Sequence, residues 1–390
     1  MFRFLNAGES HGKALTVIVD GYPSNVKVDK NKIDQELSRR QKGYGRGGRM
    51  QIEKDTVEII SGIRFGISLG TPITLLVKNR DWENWTDIMD PEGKPTQKKQ
   101  IVEPRPGHAD LVGGIKYGFY DLRNILERAS ARETTTRVAV GALCKILLED
   151  VGINIGSYIL SIGEMRLEER DYGSLSLEER FANAEMSELR LAVAGKDEEF
   201  KDYIDRAKKE GESLGGIFEI YATGVPIGLG SYSQWDSRLD GKIAQAVMSI
   251  QAIKGVEIGQ GFALASKVGS MAHDEIFWEE DRGFYRKTNR AGGLEGGMTN
   301  GEPIIVRAGM KPIPTLMRQK SLQSVNVVTK EPFVAAKERS DITAVPAAAV
   351  VAESMLAFVL VREILEKFGS DNWIHIKQRI EEYREYTRRY

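Results

Sequence analysis

Two of the four histidines stand beside glycine, His11 in Ala7-Gly-Glu-Ser-His-Gly12 and His108 in Pro104-Arg-Pro-Gly-His-Ala-Asp110. A neighbouring glycine lets the backbone approach a ligand closely. An imidazole titrating near ~6.5 can protonate a leaving group or hold a proton on a cofactor at neutral pH. His273 and His375 occupy plainer charged or helical surroundings. Spacing alone leaves a purely structural role open for all four.

Arginine carries the stronger signal. The run from Arg39 to Arg49 holds Arg39, Arg40, Lys42, Arg46 and Arg49 in a glycine-rich loop after a helical stretch, and guanidinium forks grip carboxylate or phosphate bidentately. An RGG-like RNA-binding tail looks similar locally, but such tails repeat as low-complexity sequence and this run occurs once. A second group lies in Glu127-Arg128-Ala129-Ser130-Ala-Arg132-Glu-Thr-Thr-Thr-Arg137. On one continuous helix Arg123 would pair with Glu127 and Glu133 with Arg137, while Arg128 and Arg132 would oppose each other unless an anion bridged them. Two arginines splayed into water would also satisfy the sequence.

In an extended Arg339-Ser-Asp341, the arginine and the aspartate share a side, which sets a carboxylate base beside a cation; a surface ion pair fits the spacing equally. The glycine cluster from Gly292 to Gly301, followed by Lys311-Pro312-Ile313-Pro314-Thr315, offers backbone amides and a lysine held by stiff prolines, suited to a phosphate or flavin contact. None of these is a Walker or dinucleotide-binding fingerprint.

The elements that must position these groups read as strands near 14–20, 51–61, 71–77, 156–162, 216–223, 257–265, 303–308 and 324–328, and as helices over 32–41, 117–149, 241–250, 346–368 and 372–388. Strands mixed with helices without a regular βαβ period predict an α+β or layered arrangement. The charged stretch 166–211 reads as a solvated helical insertion in one domain spanning 1–390. Gly12 to Pro23 and Gly215 to Pro226 share a glycine, glycine, proline spacing and apolar positions, which predicts two related halves with a site between them if it reflects a duplication.

Composition excludes several functions. Lys plus Arg is 55 and Asp plus Glu 56, for a formal charge of −1, so no basic excess exists to hold a nucleic acid. Cys144 is the only cysteine, which rules out an intrachain disulfide and a multi-thiolate metal site, and fits a reducing compartment. No apolar run reaches membrane-span or signal-peptide length. The expectation is a soluble cytoplasmic protein without a metal, a nucleic-acid partner or a membrane.

Taken together, Gly8-Glu-Ser-His-Gly12, Glu127-Arg-Ala-Ser-Ala-Arg132-Glu-Thr and Arg339-Ser-Asp341 running on to Glu353, with the arginine-glycine loop, PRPGHADL, GGMTNG and MKPIPT, resemble the chorismate synthase family along nearly the whole chain. The resemblance implies a β-α-β sandwich and a homotetramer. It also implies conversion of 5-enolpyruvylshikimate 3-phosphate to chorismate by 1,4-anti elimination of phosphate, with reduced FMN required but not consumed. Carried over by motif, Ser10, Arg40, Arg46, Arg49, Arg105 and Arg132 fall on the substrate, and Arg128, Ala129, Ser130, Gln251, Ala252, Gly296, Lys311, Pro312, Ile313, Pro314, Thr315 and Arg339 on the flavin. His11 becomes the acid toward departing phosphate, His108 the proton partner of flavin N1, and Asp341 the base working with flavin N5 on the C6 hydrogen. Gln251 stands where relatives often carry asparagine or proline. The alternatives are a flavin-dependent NAD(P)H oxidoreductase, alone or as a second activity, and an RNA-binding protein. No nicotinamide fingerprint GxGxxG follows a strand, which favours a synthase served by an external flavin reductase.

Overall fold

The computed structural model describes residues 1–47, 54–94, 96–317, 322–335 and 341–390. Two antiparallel sheets enclose a layer of helices. The first runs in the order Arg3–Ala7, Ala14–Asp20, Ile73–Lys78, Glu58–Ser61, and the second in the order Ile253–Ile258, Ile304–Met310, Gly216–Thr223, Asn154–Ile162, Met165–Arg166. Between them lie the Thr134–Glu149 and Val345–Phe368 helices, apolar on most sides and packed on each other. Long apolar helices of this kind are core elements. Among the described residues, no helix is long and apolar enough to cross a membrane.

The predicted duplication is visible in the topology. Each half contributes two strands, a helix, two further strands and a core helix: the first half ends in Thr134–Glu149, the second in Val345–Phe368. Lys30–Gln41 follows the second strand of the first half as Leu239–Met248 follows the corresponding strand of the second. The matched turn glycines agree in detail. Gly21 and Gly224 have φ of 80° and 73°, and a Cβ would lie 2.6 Å from the Met1 carbonyl oxygen at the former and 2.2 Å from that of Gly152 at the latter.

The halves differ on their outer faces. In the first sheet Leu15, Val17 and Val19 point inward while Ile18 and Leu5 face outward and are exposed, the alternation of a one-sided sheet. Gly216–Thr223 is buried on both faces, because the Leu177–Met186 helix covers the second sheet. The 166–211 stretch is therefore more than a solvated appendage. It also braces the first arginine loop: Tyr44 donates its hydroxyl to Asp205 at 3.0 Å and its N–H to the Glu188 carbonyl at 3.2 Å.

Three sequence expectations need correction. The predicted 117–149 helix is three pieces, Arg123–Ala129, a 3-10 turn over Ala131–Glu133, and Thr134–Glu149. The 257–265 strand runs instead over Ile253–Ile258 and gives way to a 3-10 turn at Gly261–Ser266. A strand at Arg3–Ala7 and a helix at Asp110–Tyr117 were not predicted.

The core helices come close together at Gly141, where a Cβ would stand 2.2 Å from Cβ of Ser354. Alanine is the better helix former by about 1 kcal/mol, yet overpacking a tight core contact costs about 1–3 kcal/mol. Gly141→Ala is thus expected to destabilise, reducing the urea midpoint despite its helix propensity. An unchanged or raised midpoint would show that the helices have room to part.

Candidate functional site

The Gly8–Lys13 loop joins the first two strands and is tied down from both sides. Asn79 donates through Nδ2 to the carbonyls of Gly12 (2.7 Å) and Glu9 (3.2 Å), and the Ser10 N–H donates to the Glu127 carbonyl at 3.0 Å. Glu127 also receives the His11 backbone N–H at 2.8 Å and lies 2.9 Å from His11 Nδ1. Burial opposes ionisation of Glu127, but hydrogen bonds from His11 and from Arg123 hold its carboxyl below the usual range. This carboxylate fixes the Nδ1 proton, so that Nε2 is the nitrogen for proton exchange with a ligand.

The helix break at Ser130, whose ψ is 142°, sends the two arginines of the second group apart. Arg128 donates to the carbonyls of Gly8 and Asn6, both at 3.1 Å, and to Asn6 Oδ1 at 2.8 Å. Arg132 donates to Asp55 at 2.7 Å and to Asn79 Oδ1 at 2.9 Å. The expected like-charge opposition of Arg128 and Arg132 does not arise, because no continuous helix spans them. The Arg123–Glu127 and Glu133–Arg137 pairs form as expected, each at 2.9 Å.

Arg40 and Arg46 are gathered to the same place. Arg40 donates to Thr134 Oγ1 (3.0 Å) and the Ala131 carbonyl (2.9 Å), with Asp55 3.7 Å away. Arg46 Nε lies 3.1 Å from Asp341 Oδ2, while the Gly47 N–H donates to Oδ1 at 2.5 Å. Burial, with the neighbouring charges of Arg132 and Arg46, lowers Arg40 to about 10 against the pull of Asp55 and Asp341. Three guanidiniums thus face two carboxylates. Among the described residues, buried NH1 groups of Arg40 and Arg46 have no hydrogen-bond acceptor. Buried donors without acceptors are rare and costly, and an anionic ligand would satisfy both.

A second cluster forms around His108, where Nδ1 meets Asp110 Oδ1 at 2.6 Å and Arg105 Nε donates to Oδ2 at 2.9 Å. Asp110 opens the Asp110–Tyr117 helix, where a negative charge is favoured. Burial works against its charge, but His108 and Arg105 hold its carboxyl well below the ordinary range. Lys311 donates from Nζ to the Gly107 carbonyl at 2.6 Å and from its backbone N–H to the Ala252 carbonyl at 2.9 Å. Ser213 donates to the Ile313 carbonyl at 2.6 Å, and Thr315 is buried. Pro312 and Pro314 stiffen this segment.

Gln251 and Ala252 connect the two clusters. Gln251 donates through Nε2 to Glu133 at 2.7 Å, next to Arg132, while its buried Oε1 has no donor among the described residues. Ala252 sits at φ 66°, a conformation an alanine adopts at some cost. Ser10, His11, Arg40, Arg46, Arg128, Ala129, Ser130, Arg132 and Asp341 therefore belong to one contact network. Through Gln251 and Ala252 it reaches Arg105, His108 and Lys311 to Thr315. Gly296 stands apart. Its hairpin abuts the start of Leu239–Met248, where the Leu239 N–H donates to the Gly297 carbonyl, whereas Gln251 follows the end of that ten-residue helix, about 15 Å away at 1.5 Å per residue. Arg49 and Arg339 lie outside the described residues.

Cavities of about 820 and 740 Å³ flank Glu9, the first bounded by Gly12 and Asn79, the second by Arg123 and Glu127. Another of about 550 Å³ lies at His273, Asp274 and Glu295, and none of the three catalytic candidates lines it. Sequence reasoning missed Asp55, Asn79, Trp85 and Asp110 as partners of the site. Asp110 stood inside a quoted motif, whereas Asp55 and Asn79 carry no local signal.

A family model described as chorismate synthase matches residues 2–365. The chain is 80% identical over 385 residues to the chorismate synthase of Sulfurihydrogenibium sp. (strain YO3AOP1), covering 99% of each chain. It is 58% identical over 387 residues to that of Aquifex aeolicus (strain VF5), covering 98% of this chain and 97% of the relative. A solved structure titled "Crystal Structure of Chorismate Synthase" is similar with a TM-score of 0.82 at 49% identity, covering 100% of this chain and 99% of the other. On fold, motif order and sequence alike, the chain belongs to the chorismate synthase family, whose members are carbon–oxygen lyases.

Proposed function

We propose that the chain eliminates phosphate from 5-enolpyruvylshikimate 3-phosphate to form chorismate in the presence of reduced FMN. The observation that carries this reading is the pair of buried NH1 groups on Arg40 and Arg46 that have no acceptor among the described residues, set beside Arg132, Asp341 and the His11–Glu127 pair. A substrate with two carboxylates and a phosphate supplies the missing acceptors. Arg40, Arg46, Arg132, Arg105 and Ser10 bind it, the family resemblance adds Arg49, and binding through these groups sets the orientation that elimination needs.

The donor set also fits a flavin. Arg128 and Lys311 are cations for its phosphate and ring oxygens, a role the resemblance also gives Arg339, and Gln251 Oε1, which has no donor among the described residues, suits a ring N–H. Ala129, Ser130, Ala252 and the Pro312 to Thr315 run supply backbone and small side chains, whereas Gly296, on its separate hairpin, is not among them. Reduced FMN, when bound, supplies electron density that eases C–O cleavage and is regained, so no net oxidation occurs. The chain's own residues handle the protons. His11, as imidazolium, gives the Nε2 proton to the phosphate oxygen that departs with the C–O electron pair, and Asp341 accepts the C6 proton. His108, oriented by Asp110, holds a proton at the flavin. Substrate thus becomes chorismate and phosphate with protons balanced between His11 and Asp341.

In this reading the chain is one domain with an insertion at 166–211. It works as a cytoplasmic homotetramer fed by a separate flavin reductase, which its single buried cysteine and the lack of a nicotinamide fingerprint support. Protein mixed anaerobically with photoreduced FMN and 5-enolpyruvylshikimate 3-phosphate, without NAD(P)H, is expected to release phosphate and chorismate in equal amounts while the flavin stays reduced. No product would overturn the reading. Product only from oxidised FMN plus NAD(P)H would replace it with a reductase-containing enzyme.

A further inference from the structure

His11 has a third neighbour besides Glu127 and its own loop. Its ring stacks on Trp85 with centroids 3.8 Å apart and planes 23° from parallel. Trp85 is itself held: its Nε1–H donates to Asp81 at 2.9 Å, and Lys99 Nζ lies 3.4 Å from the indole centroid. An imidazole at 3.8 Å and an ammonium at 3.4 Å cannot share one face of a ring, so Lys99 occupies the face opposite His11. The backbone of Lys99 has φ 55°, an uncommon conformation for a residue with a side chain, and its carbonyl accepts from Arg123 Nε at 2.5 Å. Arg123 in turn holds Glu127 at 2.9 Å and lies 5.1 Å from the Trp85 centroid. Indole, ammonium and carboxylate are thus built as one unit around the imidazole.

We infer that Trp85 is a positioning residue for His11 and that Lys99, acting through the indole, sets how readily His11 is protonated; its bearing on turnover rests on His11 being the acid of the reaction proposed above. The negative face of an indole attracts a cation stacked on it. An imidazolium and an ammonium on opposite faces compete for the same ring and repel each other. Trp85 therefore favours the protonated imidazole and fixes its plane, while Lys99 restrains that preference. Among the described residues, the charged groups linked to His11 through its contacts are Glu127, which favours the imidazolium, Arg123 and Lys99, which oppose it, and Glu9 and Asp81 at the margins. Lys99 is exposed, so it can be changed without uncovering a buried charge.

The test uses full-length protein labelled with ¹³C at imidazole Cε1, in which four histidines give four signals and His11→Gln assigns the one of interest. Lys99→Met is expected to move the His11 midpoint upward by about 0.3–0.5 pH unit, and Trp85→Leu downward by about half a unit. Trp85→Phe, which keeps an aromatic face, is expected to stay close to the parent. A His11 midpoint unmoved in Lys99→Met overturns the inference, and that exposed position decides the matter even if Trp85→Leu does not fold. The pH profile of kcat, taken on the same proteins, separates the two readings. If the His11 signal shifts and the kcat profile does not follow, the stack stands and His11 is not the acid.

Discussion

Asp341→Asn is expected to reduce turnover by about 10²–10⁴-fold, the usual contribution of a general base, while the affinity for 5-enolpyruvylshikimate 3-phosphate holds or rises. The substitution is nearly isosteric. Asparagine Oδ1 can still accept from the Gly47 N–H that now meets Asp341 at 2.5 Å, so the loop carrying Arg46 keeps its anchor. What changes is charge: the carboxylate that would take the C6 proton is gone, and Arg46, Arg40 and Arg132 are left with one fewer anion near them. A more cationic pocket binds a ligand with two carboxylates and a phosphate at least as well. Single-turnover chemistry and equilibrium binding of substrate measured on the same variant separate the two effects. Turnover within tenfold of the parent would remove Asp341 from the proton transfer, and a parallel loss of affinity would make it a binding residue.

The second large effect is on stability. Glu353 is fully buried on Val345–Phe368 and meets Arg39 at 2.7 Å, Lys145 at 2.5 Å, Arg190 at 3.1 Å and the Ser157 hydroxyl at 2.5 Å. Removing one partner of a buried ion network leaves charges that nothing compensates, at a cost of about 3–5 kcal/mol. Glu353→Ala is expected to lose that much, read as a lower urea midpoint. Acid should act through the same group. Burial resists its ionisation, but Arg39, Lys145 and Arg190 hold the carboxyl well below its ordinary 4.5. A depressed folded-state value gives stability that is present above the unfolded value and is lost as pH falls toward the folded one. The parent midpoint should therefore be steady from pH 7 to about 5 and fall below about 4.5, with a shallower fall in Glu353→Ala. Equal acid sensitivity in both proteins would assign the acid limb to other carboxylates, of which Asp110 and Glu127 are also held low.

The parts of the fold legible in the sequence were those whose pattern is local. Ala14–Asp20 and Gly216–Thr223 were bounded to the residue, because apolar runs end in turns that demand glycine. The break at Ser130 was not legible: alanine, serine and arginine are all compatible with helix, and the kink comes from Arg128 reaching the first strand while Arg132 turns to Asp55. The Arg3–Ala7 strand is short and half exposed, and glycines disguise the Asp110–Tyr117 helix. At the site, motifs located the histidines and arginines, but each is oriented by a carboxylate or amide brought from elsewhere. Asp55 and Asn79 reach Arg132 across 77 and 53 residues of sequence, and no window along the chain contains such a pair.

The pairing of the two core helices also constrains how the chain comes off the ribosome. Thr134–Glu149 is buried along almost its entire length, largely by Val345–Phe368, which is translated roughly two hundred residues later. At ~5–20 residues per second, the earlier helix spends about 10–40 s with an apolar face that its mate has not yet arrived to cover. The first half can pair its four strands in that interval, but it cannot close. A nascent chain arrested before residue 345 should therefore be captured by holding chaperones and digested readily, and protection should come abruptly once the second core helix emerges. The two halves share one arrangement of strands and helices, and the cost is that neither half is finished until the other has been made.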